Sequence, residues 1–502
     1  MEDTERTDIK IVNIPQLQIQ KILLGTENVQ YRKIDDDQIQ DNEQEETINA
    51  RKEELEKQVK DETSHKLKHN RIEAPVSVDI NGEKNTVLDS NSMDKVEDKH
   101  PINTEKDLVS VCNTKDKCTS QVAADSRKEY ELESTRVLIG KDKRNEEVYW
   151  EFGNEKLANR HLLITGTSGQ GKTYSIQTML YELSKANISS VIFDYTEGFR
   201  PDQMEKNFIS RMGEKIQQRI VYIQGVPANP FKRQVIDIAG MSMPEKTSDV
   251  GTRIANIFTH VYGFGEQQSA AIYTATKNGL DKYGDAMDFT LFKKELDSIK
   301  NEISQAKTVI SKMTPFLDTV NFTTDEGFSW SDILYQPDAS VYIFQLTSFS
   351  RDMQVVITEM LLWDMWYYTK KCGNKDHPFV VVLDEAQNLS HKENSPSAQI
   401  LTEGRKFGWS AWYATQSLQV LTDDEIVRLS QSAFKMYFKP TDEEVTKIAK
   451  QLDPTNSTKW ISPLKNLKKG QCIVVGDRNN SVGELTPAAP EIVNVTSFEE
   501  RK

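Results

Sequence analysis

Residues Gly166-Thr-Ser-Gly-Gln-Gly-Lys-Thr173 decide the fold of this chain of 502 residues. They fit the pattern G-x-x-x-x-G-K-[ST] of a phosphate-binding loop. The apolar run Leu162-Leu163-Ile164 before them predicts a strand, and residues 174–185 after them predict a helix. A loop between a strand and a helix N-terminus presents several backbone N–H groups to one anion. The stretch therefore predicts a nucleotide-binding site.

Two side chains of this loop have separate predicted roles. We expect Lys172 to reach the β- and γ-phosphates of ATP and the Thr173 hydroxyl to bind Mg²⁺. The glycines of the loop let its backbone curl around the anion. The predicted nucleotide-binding residues are Gly166, Thr167, Ser168, Gly169, Gln170, Gly171, Lys172 and Thr173.

A second strand predicts the acidic half of the site. Residues Phe379-Val-Val-Val-Leu383 are uniformly apolar, which is typical of a strand buried on both faces. The strand ends in Asp384-Glu385, and ligands of open α/β folds bind at the carboxyl ends of strands. We expect Asp384 to hold Mg²⁺ and Glu385 to act as general base on the attacking water. Taken alone, the pattern would also fit an ordinary strand end with acidic turn residues.

The next predicted strand carries polar side chains just past its end. Gln416 is suited to sensing the γ-phosphate or positioning water, and Thr415 is the lesser candidate. A plain cap between strand and helix is the competing interpretation.

Arg405 follows the predicted helix after Glu385, in the stretch Glu403-Gly-Arg-Lys-Phe-Gly408. It is the best candidate for an arginine finger, which places a fixed positive charge on the transition-state phosphates, often from a neighbouring subunit. Basic residues also complement the C-terminus of a helix that ends at glycine. The residues alone leave both roles open.

Two further features carry weaker signals. Asp194 and Glu197 follow the strand after the loop's helix, where they either order water or magnesium or are solvated turn acids. The stretch Pro230-Phe-Lys-Arg233 mixes aromatic and basic residues, as loops that bind nucleic-acid strands do. A solvated loop is the favoured interpretation of this stretch.

Strand and helix patterns alternate along residues 131–502, which predicts one α/β domain with a mostly parallel sheet. Residues 247–318 show only helical spacing and predict a helical insertion in that domain. The insertion's predicted helices are Thr252–Tyr262, Gln267–Tyr283 and Leu291–Phe316. The predicted strands are Arg136–Gly140, Val148–Phe152, Leu162–Ile164, Ile188–Phe193, Arg219–Ile223, Ser340–Gln345, Phe379–Leu383, Ser410–Ala414, Ala433–Phe438 and Gln471–Val475.

The first 130 residues differ in composition from the rest. Residues 1–135 carry 31 Asp and Glu against 20 Lys and Arg, whereas residues 136–502 carry 46 against 43. Polar, charged sequence of this kind buries too little apolar surface to offset the entropy of ordering. Residues 1–130 are therefore predicted to be a mostly disordered acidic tether, with short helices and an apolar docking segment at Ile9–Leu24. Because the acidity lies outside the domain, the total charge does not exclude an anionic polymer as partner.

The cellular compartment is predicted from the sequence features of signal peptides and membrane spans. No basic start is followed by an apolar core, and no apolar run approaches the roughly 20 residues of a membrane span. We therefore expect a cytoplasmic protein without a membrane segment.

Several stretches, in this order, together resemble the HerA/FtsK superfamily of hexameric DNA-translocating ATPases. They are RHLLITGTSGQGKT (160–173), VIFDYTEGF (191–199), NPF (229–231), VVVLDEAQNL (380–389), LTEGRKFGW (401–409) and YATQS (413–417). Within the superfamily, GFGEQQSAAIYTATKNGL and EGRKFGWSAWYATQS are most similar to the C-terminal ATPase of DptH proteins of phosphorothioation-dependent DNA restriction. The resemblance covers about residues 135–485.

This resemblance implies a RecA-like core, a ring of six copies with ATP between neighbours, DNA in the central pore, and a nuclease or other effector partner. It also favours Arg405 as an arginine finger, because the family's GRK segment faces the neighbouring nucleotide. HerA proteins carry a small β-barrel before the motor, which the predicted tether does not resemble.

The sequence thus predicts an ATP-hydrolysing DNA motor in DNA restriction, antiviral defence or DNA processing. Two alternatives stay open at this stage. One is a secretion or conjugation motor that moves protein or nucleoprotein. The other is an ATP-gated scaffold that assembles and switches a nuclease through the tether.

Overall fold

A computed structural model describes residues 10–11 and 132–501, apart from 239–240, 324–326, 337 and 481. The predicted tether therefore lies outside the described residues, except for the short strand β1 (Lys10–Ile11). Within the described ranges, no helix has the length and apolarity needed to cross a bilayer.

The described chain forms one large mixed sheet flanked by helices. Seven neighbouring strands run parallel, in the order β6-β9-β5-β10-β11-β4-β12, and β13, β16, β2 and β3 extend the sheet with antiparallel pairs. β1 pairs in parallel with β6 at the opposite end. The other strands of this sheet are β2 (Val137–Lys141), β3 (Glu147–Trp150), β4 (Leu162–Thr165), β5 (Ser190–Asp194), β6 (Ile216–Ile220), β9 (Val341–Gln345), β10 (Phe379–Leu383), β11 (Trp409–Thr415), β12 (Phe434–Tyr437), β13 (Gln471–Val475) and β16 (Glu491–Val495).

The central strands are buried on both faces, as their apolar sequences predict. In β10, Val381 and Leu383 pack into one core, whereas Val380 and Val382 pack into a second core on the other face. Alternating residues of β4, β5 and β11 divide between the same two cores. A parallel sheet covered in this way offers its carboxyl edge as the open place for a ligand.

Helices cover both faces and fill the connections. A third, smaller core lies between α12, α13 and the strands β12 and β13. The helices are α1 (Lys172–Lys185), α2 (Lys206–Met212), α3 (Val221–Gln224), α4 (Thr247–Tyr262), α5 (Glu266–Tyr283), α6 (Phe289–Ile299), α7 (Ala306–Thr319), α8 (Trp330–Leu334), α9 (Arg351–Cys372), α10 (Pro396–Glu403), α11 (Asp423–Leu429), α12 (Val445–Leu452) and α13 (Thr458–Lys465).

The insertion is helical as predicted, but its last predicted helix is wrong as a single element. The stretch 291–316 divides into α6 and α7, separated at residues 300–305. Ile299 and Ala306 both enter the core on either side of this break. The chain reversal lets both short helices turn an apolar face to the same aromatic cluster, in which Phe258 contacts Phe292 and Phe316.

Sequence patterns also misplaced β6 and missed the helical turn α3 and two small hairpins. The strand predicted at Arg219–Ile223 is β6 at Ile216–Ile220 followed by the helical turn α3. Arg219 is buried and donates to the carbonyl oxygens of Gln224 and Gly225, which turns the chain at this point. An unpredicted hairpin follows, formed by β7 (Val235–Ile238) and β8 (Met241–Pro244). A second small hairpin, β14 (Asp477–Asn479) and β15 (Leu485–Pro487), was also not predicted.

Candidate nucleotide site

The phosphate-binding loop joins β4 to α1 at the carboxyl edge of the sheet. Gly171 caps α1 in a left-handed conformation with φ 110°, and within the described residues this helix has no side-chain cap. Gly166 has φ 149°, and a Cβ atom there would lie 2.5 Å from the Phe438 Cβ. Both positions thus require glycine. The arrangement leaves a helix N-terminus free to bind an anion.

Lys172 folds back over this loop. Its Nζ donates to the carbonyl oxygens of Gly166 at 2.6 Å and Thr167 at 3.1 Å. Burial lowers the pKa of Lys172, whereas the nearby carboxylates of Asp384 and Glu385 act in the opposite direction. The ammonium group therefore lies between the loop and the acids that follow β10, where it can reach a phosphate.

Asp384 lies at the end of β10 and faces the turn after β5. The Thr196 hydroxyl donates to Asp384 Oδ2 at 2.6 Å. Burial raises the pKa of Asp384 to about 6, helped by the neighbouring charges of Glu385 and Asp194, while the Thr196 hydrogen bond lowers it. A polar pocket of about 240 Å³ opens beside Thr173 and Thr196. Carboxylate and hydroxyl oxygens are the donors that Mg²⁺ prefers, so Asp384 and Thr173 fit this ion.

Glu385 has a strained backbone, and each of its carboxylate oxygens accepts a hydrogen bond. Its φ is 52°, a left-handed value rarely adopted by residues other than glycine. The Gln387 carboxamide donates to Glu385 Oε2, and the Gln416 carboxamide donates to Oε1. Glu385 is only 6 % exposed. Strain held in this way is typical of functional sites.

The backbone after Glu385 is fixed by two side chains. Asn388 Nδ2 donates to the Glu385 carbonyl oxygen at 2.9 Å. The buried His391 ring contacts the Ala386 carbonyl oxygen through Nε2 at 2.8 Å and the Ser397 hydroxyl through Nδ1 at 2.6 Å. Because a carbonyl only accepts, Nε2 carries the proton and the ring is the neutral tautomer. Burial lowers the pKa of His391 to about 4, which keeps the ring neutral.

Asp194 and Glu197, which the sequence left open, have different surroundings. Asp194 is fully buried and accepts from the backbone N–H groups of Thr196 and Phe199 and from Gln345 Nε2. It therefore holds the turn that carries Thr196 rather than facing solvent. Glu197 is half-exposed, has φ 68° and pairs with Arg200 at 3.0 Å.

Arg405 lies far from this edge. It precedes β11 in a 3-10 helix (Gly404–Phe407), whereas Gln416 follows the same strand. The seven residues of β11 rise by about 3.3 Å each, which separates the two ends by about 20 Å. Arg405 is exposed and donates to the carbonyl oxygens of Glu155 and Ala158. It borders a small pocket with Arg160, whose pKa is lowered by burial and by the charge of Arg405.

The aromatic residue of the loop 230–233 is part of the core. Phe231 is 1 % exposed and contacts Phe289 at a ring separation of 4.8 Å. Arg233 donates to the Glu245 carbonyl oxygen at 2.6 Å. Phe231 therefore has no free face on which a base could stack, whereas its neighbour Lys232 is exposed.

Sequence patterns missed Thr196 and Gln387. Thr196 belongs to a turn that was noted only for its acids, although β5 and β10 are neighbours in a parallel sheet and their ends must meet. Gln387 follows Glu385 by two residues, and only the 3-10 helix Ala386–Asn388 directs its side chain back to the carboxylate. No residue pattern could have indicated that return.

Comparison with known proteins shows which proteins this chain resembles. The model of the family described as "Helicase HerA, central domain" matches residues 137–364. DNA double-strand break repair helicases HerA from Sulfurisphaera tokodaii and Saccharolobus solfataricus are each 25 % identical over 357 residues, or 68 % of this chain. The chain is thus similar to the HerA/FtsK superfamily. The alignment spans 65 % of the length of each HerA helicase.

Solved structures agree with this family on the fold. VirB4 of Thermoanaerobacter pseudethanolicus superposes with a TM-score of 0.55 and 13 % identity, over 72 % of this chain and 97 % of VirB4. The bacterial conjugative coupling protein TrwB, in a form with sulphate, gives 0.50 and 14 % identity over 75 % and 92 %. The resemblance predicted from the sequence is thus confirmed for the superfamily and for its RecA-like P-loop ATPase fold. The narrower similarity to DptH stays a prediction.

Proposed function

We propose that this HerA/FtsK-type chain is an ATP-hydrolysing motor that moves DNA. The observation that carries the proposal is one site at the carboxyl edge, where the phosphate-binding loop, Asp384, Glu385 and Gln416 come together. The HerA family match and the HerA helicases among its relatives support DNA as the polymer that is moved.

The residues have defined roles in hydrolysis. The loop Gly166–Thr173 binds the phosphates of ATP, and Lys172 leaves its carbonyl partners to contact the β- and γ-phosphates. Thr173 and Asp384 would hold Mg²⁺, which neutralises phosphate charge when bound. Glu385 accepts the proton of the attacking water, and Gln416 orients that water or contacts the γ-phosphate. The strained Glu385 backbone positions the base before the substrate arrives.

Arg405 completes the site of a neighbouring copy. The length of β11 keeps it from the nucleotide of its own chain, and its exposed guanidinium leaves it available to a partner. A ring of six copies with ATP between neighbours brings the two edges together. Release of this contact after hydrolysis would shift neighbouring copies and the DNA between them.

The biological setting is proposed from the resemblance to DptH. We assign the motor to DNA restriction, antiviral defence or DNA processing with a nuclease partner. Residues 1–130 serve as the tether that binds this partner, and residues 131–502 form the motor domain. The nearly balanced charge of residues 136–502 permits contact with DNA phosphates.

The test measures steady-state ATP hydrolysis by wild type and Glu385→Gln, with and without linear duplex DNA, on protein of known oligomeric mass. We expect DNA to stimulate wild-type turnover several-fold. Removal of the general base should lower turnover by at least about 100-fold while ATP binding persists. DNA binding should weaken steeply as salt rises and depend little on sequence. A rate of ATP hydrolysis that does not change when DNA is added would contradict a DNA motor. DNA binding that does not weaken with salt would also contradict it.

A further inference from the structure

The carboxylate of Glu385 is held between two carboxamides that are bound in different ways. Gln387 donates to Oε2 and Gln416 donates to Oε1, so each oxygen has its own donor. The orientation of both amides follows from chemistry, because a flipped amide would face an acceptor with an acceptor. Neither hydrogen bond involves the phosphate-binding loop.

Gln387 is anchored at its second end. Its Oε1 lies 2.7 Å from the Thr415 hydroxyl, the last residue of β11. Thr415 is 1 % exposed, and its hydroxyl also lies 2.8 Å from the Ser417 carbonyl oxygen. In addition, the 3-10 helix that carries Gln387 is fixed through Asn388 and His391. Gln387 therefore belongs to the rigid frame behind the site.

Gln416 lacks a comparable anchor in the described part of the chain, where its carboxamide bonds to Glu385 alone. It lies in the segment after β11, one residue beyond the fixed Thr415. A change in its side-chain rotamer breaks the bond to Glu385 without disturbing the strand. The two amides thus differ in how they are anchored, although they bind the same group.

We propose that Gln387 is the positioning residue for the general base Glu385 and that Gln416 is its exchangeable partner. The proposal rests on the proposed function, because it assumes that Glu385 activates water. When Gln416 turns to the γ-phosphate, Oε1 is freed to accept the proton of the attacking water. Gln387 keeps its hold on Oε2 and preserves the direction of the carboxylate. Thr415 acts on Glu385 indirectly, by orienting the Gln387 amide.

The test uses two isosteric substitutions that remove polar atoms. Gln387→Met removes the donor to Glu385, and Thr415→Val removes the group that orients Gln387. Each is made in wild type and in the Glu385→Gln background, and the two are also combined in one chain. Steady-state and single-turnover ATP hydrolysis give kcat and KM, and binding of a fluorescent ATP analogue with thermal unfolding checks that each variant is folded.

A positioning role predicts a specific pattern. A hydrogen bond to a charged group is worth about tenfold or more, so kcat of Gln387→Met should fall about 10-fold with KM changed less than about twofold. Thr415→Val should lose about threefold and add little to Gln387→Met. In the Glu385→Gln background, Gln387→Met should change the residual rate by less than about twofold, because its target is already gone.

Other patterns would overturn the proposal. An equal loss of kcat in the wild-type and Glu385→Gln backgrounds would show a merely structural role. A change mainly in KM or in the thermal unfolding temperature would show the same. A wild-type rate in Gln387→Met, or in Thr415→Val if the first variant fails to fold, would show that Glu385 needs no such support. If wild type itself hydrolyses no ATP with or without DNA, the proposed function fails first and the positioning role falls with it.

Discussion

The two edges of the parallel sheet hold charged side chains in different ways. At the carboxyl edge, Asp384 is half-buried and Glu385 is buried, and each accepts hydrogen bonds from neighbouring side chains. At the amino edge, Arg405 is exposed and donates only to backbone carbonyl oxygens in the described part of the chain. The strand β11 spans the distance between them. One copy thus holds a base and an arginine that it cannot bring together.

This difference indicates that the two edges play different parts in the proposed site. The carboxyl edge is built in advance, because strained Glu385 and buried Asp194 are held by several hydrogen bonds. Under the proposed function, the amino edge would supply a charge that contacts phosphate only when a second copy approaches. Hydrolysis would therefore depend on assembly, whereas nucleotide binding would not.

The largest expected effect comes from the amino edge. An arginine finger contributes about 10³-fold or more, so Arg405→Ala should lower turnover by roughly 1,000-fold while ATP binding and oligomer size persist. Arg144→Ala is the control, because this arginine lies in the β2–β3 turn and is also exposed, at 71 %. Steady-state hydrolysis of both variants checks the prediction. If Arg405→Ala lowers ATP turnover by less than about threefold, the amino edge takes no part in catalysis.

A smaller expected effect concerns the pH dependence of stability, which should differ between variants at the two edges. Glu359 on α9 is 2 % exposed and accepts from the Ser390 N–H behind Glu385, and burial raises its pKa to about 8. The folded state thus keeps a proton that the unfolded chain releases above its ordinary pKa of 4.5. Stability contributed by this group falls as pH rises from 4.5 to about 8.

Glu359→Gln should remove this dependence, since an amide does not titrate and its oxygen still accepts from Ser390. Thermal unfolding should show little difference from wild type near pH 5 and a stabilisation on the order of a few kcal/mol at pH 8. Arg405→Ala should stay within about 0.5 kcal/mol of wild type at both values. A stabilisation that is equal at the two pH values would show that Glu359 is not a buried neutral acid.

The sequence predicted the strands of the sheet better than the segments that connect them. Strands such as Phe379–Leu383 were found at their observed bounds, because a strand buried on both faces is uniformly apolar. The break at residues 300–305 was missed because periodicity continues through it, and the turn into α3 depends on the buried Arg219. Likewise Lys172, Asp384 and Glu385 belong to patterns, whereas Thr196 and Gln387 become apparent only when strand ends meet.

The central claim is that one active site uses both edges from different copies. The most direct test mixes Glu385→Gln and Arg405→Ala chains in equal amounts before assembly and measures ATP turnover per chain. Each variant alone lacks one half at every interface. Random mixed rings place an intact Glu385 beside an intact Arg405 at about a quarter of interfaces, so the mixture should recover about a quarter of wild-type turnover. A mixture no more active than either variant alone would contradict the shared site.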